Sequence, residues 1–190
     1  MIENKDKEQE FYRQIVSGDI IAMKEFYHHY SGYLTTVCSR YVFDREDIKD
    51  VLQESFIKIF KAIALFEYKG PGSLRAWSTR IVVNESLKFL KTRERLEVIH
   101  QPVWDLPDTT EEEEPDFDEI PIFVILEMIR SLPTGYRTVF NLFVFENKSH
   151  KEIASILKIS ESSSASQLHR AKNVLAKQIR VYESMKKTAL

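Results

Sequence analysis

The chain has 190 residues, 43% of them hydrophobic and 29% charged, a composition typical of a globular protein. No apolar stretch approaches the roughly 18 residues of a membrane-spanning helix, and the polar first residues do not resemble a signal peptide. The single cysteine, Cys38, excludes an internal disulfide and suits a reducing compartment. We therefore expect a cytoplasmic protein with one medium domain or two small ones.

The net charge of −2 hides an asymmetry along the chain. Nine acidic residues and no Lys or Arg lie between Asp105 and Glu119, which leaves 20 acidic against 27 basic residues elsewhere, a net +7. The simplest interpretation of such a run is a solvated linker. The alternative is a segment that mimics nucleic acid or repels it from the wrong surface.

Two prolines, Pro107 and Pro115, interrupt this acidic stretch and two more, Pro102 and Pro121, flank it, and both proline and repeated like charge disfavour packing. We predict an acidic linker over residues 98–120, an N-terminal domain over 1–97 and a C-terminal domain over 121–190. Glycine is scarce in both domains, and apolar residues recur at three- and four-residue spacing. The predicted fold class is all-α, with two small helical domains joined by the flexible linker.

In the N-terminal domain, residues 19–42 predict one long helix or two, with an aromatic stripe that we assign to the core. Asp47 is predicted to start the next helix, which extends towards Phe66. The Lys-Gly-Pro-Gly run at 69–72 must form a loop. Ser73 is predicted to cap a helix from Leu74 to about Arg95.

This last helix carries a polar stripe on one side, at about 100° per residue. Cations can meet phosphates, an amide can bond a base edge, and an indole can stack on a base, so the stripe favours binding of a melted DNA strand. A solvated basic face with a half-buried Trp is the alternative. The stripe consists of Trp77, Arg80, Asn84, Lys88, Lys91 and Arg95.

In the C-terminal domain, residues 122–130 predict a short amphipathic helix, and Thr134 is predicted to cap the next. Ser149 and Glu152 have capping-box spacing, and they open a short helix that is followed by a turn at 157–160. Ser160 is predicted to cap a longer helix that ends near Tyr182. These proportions indicate a helix-turn-helix, although a plain helical pair remains the alternative.

The second helix of this motif carries small hydroxyl residues that allow close approach to the major groove, and donors for bases and phosphates. Its candidate DNA-binding residues are Ser163, Ser166, Gln167, His169, Arg170 and Lys172. The serines lack the glycine-framed turn and the neighbouring general base that a catalytic serine nucleophile needs. His28, His29 and the scattered acids show no metal-ligand spacing. We predict no enzyme activity, metal, cofactor or small-molecule substrate.

With these residues in view, the chain resembles a sigma factor of the extracytoplasmic-function type. Residues 50–56, Asp-Val-Leu-Gln-Glu-Ser-Phe, are similar to that family's D-L-V-Q-E-T-F signature. Residues 74–84 are similar to its F-R-A-W…R-I…N helix. Residues 132–137 and 149–172 are similar to its L-P…R, S…E-I-A…L-G-I-S and L-H-R-A-R series.

The resemblance implies two partners: core RNA polymerase and promoter DNA. The helix that carries the 50–56 signature then docks on the polymerase clamp. Its contact residues are Asp50, Gln53, Glu54, Phe56, Ile57 and Phe60. Phe56 or Phe60 can belong to the core instead. The −10 element is recognised and melted by the loop at 69–72, including Lys69, and by Trp77, Arg80, Asn84 and Lys88. The −35 element is read by the helix-turn-helix. An anti-sigma factor, often membrane-bound in this family, is a further implied partner, and the linker threads the polymerase's RNA exit path or cleft.

Several positions depart from the family's pattern. The family usually has a basic residue at the positions of Ala165 and Gln167. It usually has a glycine at the position of Lys158, and the lysine puts the turn geometry in question. Val82, Val83 and Lys88 also differ from the common residues. The alternative function is a helix-turn-helix regulator that binds DNA without docking on polymerase; a helical enzyme or adaptor is a more distant one.

Overall fold

The structure is a computed structural model that describes residues 6–92 and 120–188. The described residues are helical and contain no strand, so the all-α prediction is confirmed for them. They form two compact units, which belong to Met1–Thr92 and Arg93–Leu190. Arg95 and the predicted linker up to residue 119 lie outside the described residues, whereas Ile120 is buried.

Each α-helix of the first unit begins where a side chain accepts hydrogen bonds from N–H groups that have no partner in the helix. Asp19 precedes a single helix over the stretch for which one or two were predicted. The next helix starts at Arg45 rather than Asp47, because Asp44 Oδ1 accepts from the N–H groups of Glu46 and Asp47 at 2.9 and 3.1 Å. The elements are α1 (Lys7–Val16), α2 (Ile20–Ser39), α3 (Arg45–Ala62), a 3-10 helix (Ile63–Leu65) and α4 (Ser73–Thr92).

The core of the first unit is built around aromatic side chains. Phe26 is fully buried, and its ring lies 5.8 Å from Phe60, 6.4 Å from Phe56 and 6.0 Å from Phe11. A buried side chain of this size contributes about 1.5–3 kcal/mol. The aromatic stripe predicted on α2 is only partly core: Phe26, Tyr30, Leu34 and Val37 are buried, whereas Tyr27 and Tyr33 are exposed.

In the second unit, Thr134 is the first residue of its helix, and the predicted cap there is wrong: Pro133 precedes the helix, and no side chain caps it. The long last helix extends beyond the predicted end at Tyr182. The elements are α5 (Ile122–Ser131), α6 (Thr134–Val144), α7 (His150–Leu157) and α8 (Glu161–Thr188). One cluster of the core joins α5 to α8 through Ile129, Leu132, Ala171 and Leu175.

Arg137 explains the Leu-Pro…Arg pattern at 132–137 in structural terms. Its guanidinium is buried, and Nη1 donates to the carbonyl oxygens of Leu132 at 2.9 Å and Arg130 at 3.2 Å. The last carbonyls of a helix have no partner within it, so a buried cation at this position pairs acceptors at the end of α5. The residue acts within the fold rather than on a partner.

The turn between α7 and α8 has the predicted caps on both sides and a lysine in the place of the usual glycine. Ser149 and Glu152 form the capping box at the start of α7, and Ser160 Oγ accepts from the N–H of Ser163 at 3.0 Å at the start of α8. Lys158 ends α7 in the left-handed conformation, with φ 57° and ψ 44°, and the N–H of Ile159 donates to Ala154 O at 3.1 Å. The lysine therefore occupies a conformation that favours glycine.

Lys158→Gly is expected to stabilise the protein by about 0.5–1 kcal/mol, because glycine removes the cost of a left-handed L-residue but loses more entropy on folding. Lys151→Gly, at an exposed position in the first turn of α7, is the matched control and is expected to destabilise by about 0.5–1 kcal/mol. Urea unfolding followed by circular dichroism measures both. Equal destabilisation by the two glycines would contradict the described turn.

A second prediction concerns the capping box. Hydrogen bonds from Lys148, and then from the backbone and hydroxyl of Ser149, lower the pKa of Glu152 from 4.5 to about 2. Because the folded pKa is depressed, this carboxylate stabilises the fold above pH 4.5, and the contribution is lost as the pH falls towards 2. The difference in free energy of unfolding between wild type and Glu152→Gln should narrow from pH 4.5 to pH 3. A difference that stays constant over this window would contradict the assignment.

Candidate functional site

One face of α3 presents polar side chains to solvent at helical spacing. Asp50, Gln53, Glu54 and Ile57 are all exposed, and their i, i+3, i+4 and i+7 positions place them in one row. The row combines two carboxylates, one amide and one apolar side chain. Such a surface is suited to a protein partner that offers basic and apolar groups.

Two aromatic residues predicted for the same surface lie elsewhere. Phe56 is only 5% exposed, and its ring contacts Tyr27 at 4.7 Å, so it belongs to the core, the alternative that the sequence left open for it. Phe60 is half-buried and packs against Phe26 and Phe56. Both side chains lie on the inner side of α3 because their rings pack against Phe26 of α2.

The predicted polar stripe on α4 is a real surface feature. Arg80, Asn84 and Lys88 are exposed, while Trp77 is half-buried with its ring 4.9 Å from that of Phe66. Lys88 Nζ lies 3.9 Å from a carboxylate oxygen of Glu85, which offsets part of the positive charge. The stripe thus offers a cation, an amide and a second, partly paired cation along one line.

A groove of about 380 Å³ beside Asn84 was missed by the sequence reasoning. It lies between the end of α3, the 3-10 helix and α4, and Glu85 forms an ion pair across it with Lys58 at 2.5 Å. Its lining is Lys58, Lys61, Ala62, Leu65, Ile81, Asn84 and Glu85. No single stretch of sequence contains these residues, so only the packing of α3 against α4 brings them together.

The loop before α4 is held by residues that the sequence reasoning did not single out. Glu8 Oε2 accepts hydrogen bonds from the N–H groups of Gly72 at 2.7 Å and Leu74 at 3.2 Å. Ser73 does not cap the helix as predicted; its hydroxyl donates to Gly70 O at 2.6 Å and accepts from the N–H of Lys69. Lys69 itself is exposed, and its ammonium lies 3.5 Å from Glu67.

The predicted DNA-reading helix, α8, exposes part of the expected set. Ser166, His169 and Lys172 are exposed, and Ser163 and Arg170 are half-buried. Gln167, at 4% exposed, faces the interior, so its predicted contact with DNA is corrected to a place in the fold. Its inward direction follows from helical spacing, because Ser164, three residues earlier, and Ala171, four residues later, are both buried.

A polar contact sets α8 against α7. The buried Ser164 hydroxyl lies 2.9 Å from Nδ1 of His150, whose ring stacks on Phe143 at 5.0 Å. Ser164 is thus unavailable to a partner, although it belongs to the serine run that the sequence singles out. The contact fixes the two helices of the motif relative to each other.

The structure offers no support for catalysis or metal binding in the described residues. Burial raises the pKa of the Cys38 thiol to about 11, so it is a poor nucleophile. No group of three or more His, Cys, Asp or Glu side chains within residues 6–92 and 120–188 could hold a metal ion. None of the helices described is long and apolar enough to cross a membrane.

Two family models match the chain in order. Residues 26–96 match Sigma-70 region 2, and residues 122–175 match Sigma-70 region 4. The first contains α3 and α4, and the second contains α5, α6, α7 and the first half of α8. Both predicted DNA surfaces and the exposed row of α3 therefore lie inside matched regions, whereas α1 precedes them.

Curated relatives match over most of their length. The ECF RNA polymerase sigma-E factor of Haemophilus influenzae is 25% identical over 182 residues, which cover 90% of this chain and 95% of the relative. The RNA polymerase sigma-H factor of Pseudomonas aeruginosa is 26% identical, with 91% and 94% covered. The Escherichia coli sigma-E factor is 25% identical, with 88% and 92% covered.

A solved structure has a similar fold. CnrH, determined in complex with the cytosolic domain of CnrY, aligns with a TM-score of 0.52 and 21% sequence identity, covering 93% of this chain and 99% of that one. The two region models in their order and the nearly full-length relatives agree with each other. The chain belongs to the ECF RNA polymerase sigma factors, non-enzymatic proteins that direct promoter-specific transcription initiation through Sigma-70 regions 2 and 4.

Proposed function

We propose that this sigma factor divides its work among three helices. The exposed row of α3 binds core RNA polymerase, α4 and its preceding loop recognise and melt the −10 promoter element, and α8 reads the −35 element. The observation that carries the proposal is the separation of the three surfaces: each lies on a different helix, and each remains exposed after the helices have packed.

The α3 row suits polymerase binding because it is polar without being basic. Asp50 and Glu54 repel DNA phosphates, so this face favours a protein partner over nucleic acid. Ile57 adds an apolar contact at 38% exposure. Phe56 and Phe60 support the row from the core side through their packing against Phe26 and are not part of the proposed contact.

The α4 surface suits a single strand better than a duplex. Arg80 and Lys88 can follow phosphates, and the groove beside Asn84 is large enough to receive an unstacked base. Lys61 at the groove supplies a further cation for the strand, whereas Lys58 is paired with Glu85. The N–H of Gly72 already donates to Glu8, so the base is contacted by other groups of the loop.

On α8, the proposed contacts to the −35 duplex come from Ser163, Ser166, His169, Arg170 and Lys172. Small hydroxyls near the start of the helix permit close approach to the major groove, and His169 can donate to a base or phosphate. Ala165 and Gln167 stand where the family usually has basic residues, so this helix carries less positive charge. We therefore expect −35 binding to depend on few contacts.

The proposed partners are core RNA polymerase, promoter DNA and an anti-sigma factor, and these place the protein in the cytoplasm. The complex of CnrH with the cytosolic domain of CnrY supports an inhibitory partner by analogy of fold. The competing function, a regulator that binds DNA without polymerase, gives no reason for the exposed α3 row.

Replacing both Gln53 and Glu54 with Ala is expected to weaken binding to core polymerase about tenfold, because two exposed polar contacts are lost. The fold should be unchanged, since both side chains are exposed. Lys24→Ala with Glu25→Ala, an equally exposed pair on α2, is the control. Competition for core polymerase measures both variants. Wild-type binding by the Gln53 and Glu54 variant would contradict the proposed interface.

Asn84→Ala and His169→Ala test the two DNA surfaces against each other. Each is expected to cost about 1–3 kcal/mol of base discrimination at its own element and nothing at the other. Initiation rates of the reconstituted holoenzyme are measured on promoters with single base changes in the −10 or −35 element. Loss of base discrimination by Asn84→Ala at the −35 element, or by His169→Ala at the −10 element, would exclude the proposed arrangement.

A further inference from the structure

Helix α1 precedes the matched region 2, yet it makes several contacts to the loop that starts α4. Glu8 is the central residue: one carboxylate oxygen accepts from the N–H groups of Gly72 and Leu74, and the other accepts from the Tyr30 hydroxyl at 2.9 Å. A single side chain therefore joins α1 to α2, to the loop and to α4.

A second contact lies at the other end of the loop. The Tyr68 hydroxyl donates to Asp6, the residue whose other carboxylate oxygen caps α1. The Tyr68 ring stacks on Tyr12 of α1 at 6.0 Å, and Tyr12 also contacts the edge of Phe66 at 5.8 Å. Phe66 in turn packs against Trp77 of the α4 stripe.

Both tyrosine hydroxyls remain donors at neutral pH. Burial, followed by the hydrogen bond and charge of Glu8, raises the pKa of Tyr30. Partial burial, followed by the hydrogen bond and charge of Asp6, raises the pKa of Tyr68 to about 12. The hydroxyls of Tyr30 and Tyr68 therefore keep the protons that they donate to Glu8 and Asp6 at neutral pH.

The loop needs such external support because its own sequence is permissive. Gly70 and Gly72 both have positive φ, at 110° and 85°, and a free loop with two such glycines samples many conformations. Any ordering left until DNA binds lowers the affinity for DNA. Helix α1 supplies the order in advance.

We propose that Glu8 is a positioning residue for −10 recognition: by bonding the Gly72 and Leu74 N–H groups it fixes the 66–72 loop and the start of α4 in the conformation that receives the melted strand. Glu8 does not contact DNA itself. The inference rests on the proposed function of α4, and it makes α1 a determinant of promoter opening.

The test uses the full chain bound to core polymerase and a promoter fragment whose −10 non-template strand is single-stranded. Glu8→Ala is expected to leave the dissociation constant for core polymerase unchanged. It should weaken binding of the cognate fragment about tenfold, the equivalent of ordering one further residue, and reduce discrimination against fragments with a changed −10 base.

Two variants on α1 make the result specific. Glu8→Gln retains an amide oxygen that can accept from Gly72 and Leu74, and it should restore wild-type discrimination. Glu10→Ala removes an exposed carboxylate two residues along the same helix and should behave as wild type. Wild-type discrimination by Glu8→Ala, or an equal loss of polymerase binding, overturns the proposal, as does a Glu8→Gln variant as defective as Glu8→Ala.

Tyr30→Phe carries the test if Glu8→Ala does not fold. It keeps the ring that packs against Phe26 and removes the hydrogen bond that orients the Glu8 carboxylate, so discrimination at the −10 element should fall about threefold. Wild-type discrimination by this variant overturns the proposal. Asn84→Ala in the same assay separates the role of Glu8 from the proposed −10 surface of α4. If Asn84→Ala also discriminates like wild type, the proposed −10 surface is wrong. If only Asn84→Ala is defective, the −10 surface stands and the role of Glu8 is wrong.

Discussion

The first N–H groups of a helix have no partner within it. At the start of α4, the N–H groups of Gly72 and Leu74 donate to Glu8, and the N-terminal unit depends on this constraint. The carboxylate comes from a helix more than sixty residues earlier in the chain. It draws α1 against the loop, the loop against α4, and Tyr30 of α2 into the same network. The position of the α4 stripe thus depends on a contact outside the stripe.

The C-terminal unit solves the same problem with different chemistry. Arg137 pairs the last carbonyls of α5, Ser149 and Glu152 pair the first N–H groups of α7, and Lys158 takes the left-handed conformation that ends α7. Each device fixes the direction in which one helix leaves the next. Together they leave Ser166 and His169 on the outside of α8 while Ser164 and Gln167 pack inside. In both units, the proposed recognition surfaces are positioned by backbone groups that need partners.

The sequence predicted what local spacing determines. The capping box at Ser149 involves residues three apart, and it is present; the i, i+3, i+4 row of α3 is exposed as its spacing indicates. The sequence left the place of Phe56 open between surface and core and assigned Gln167 to DNA contact, because the burial of both side chains depends on other helices. The Glu8 cap and the groove beside Asn84 were missed for the same reason, since they join segments far apart in the chain. Ser73 was assigned a cap because its local sequence allows one, and a tertiary contact took that role.

The most direct test of the account places a photoreactive amino acid in turn at positions 54, 84 and 169 of the full chain, in complex with core polymerase and promoter DNA. The account predicts three different products: position 54 crosslinks to polymerase, position 84 to the non-template strand of the −10 element, and position 169 to the −35 duplex. Crosslinking of position 84 to polymerase with no −10 product, or of position 54 to DNA, would contradict the division of work among the three helices.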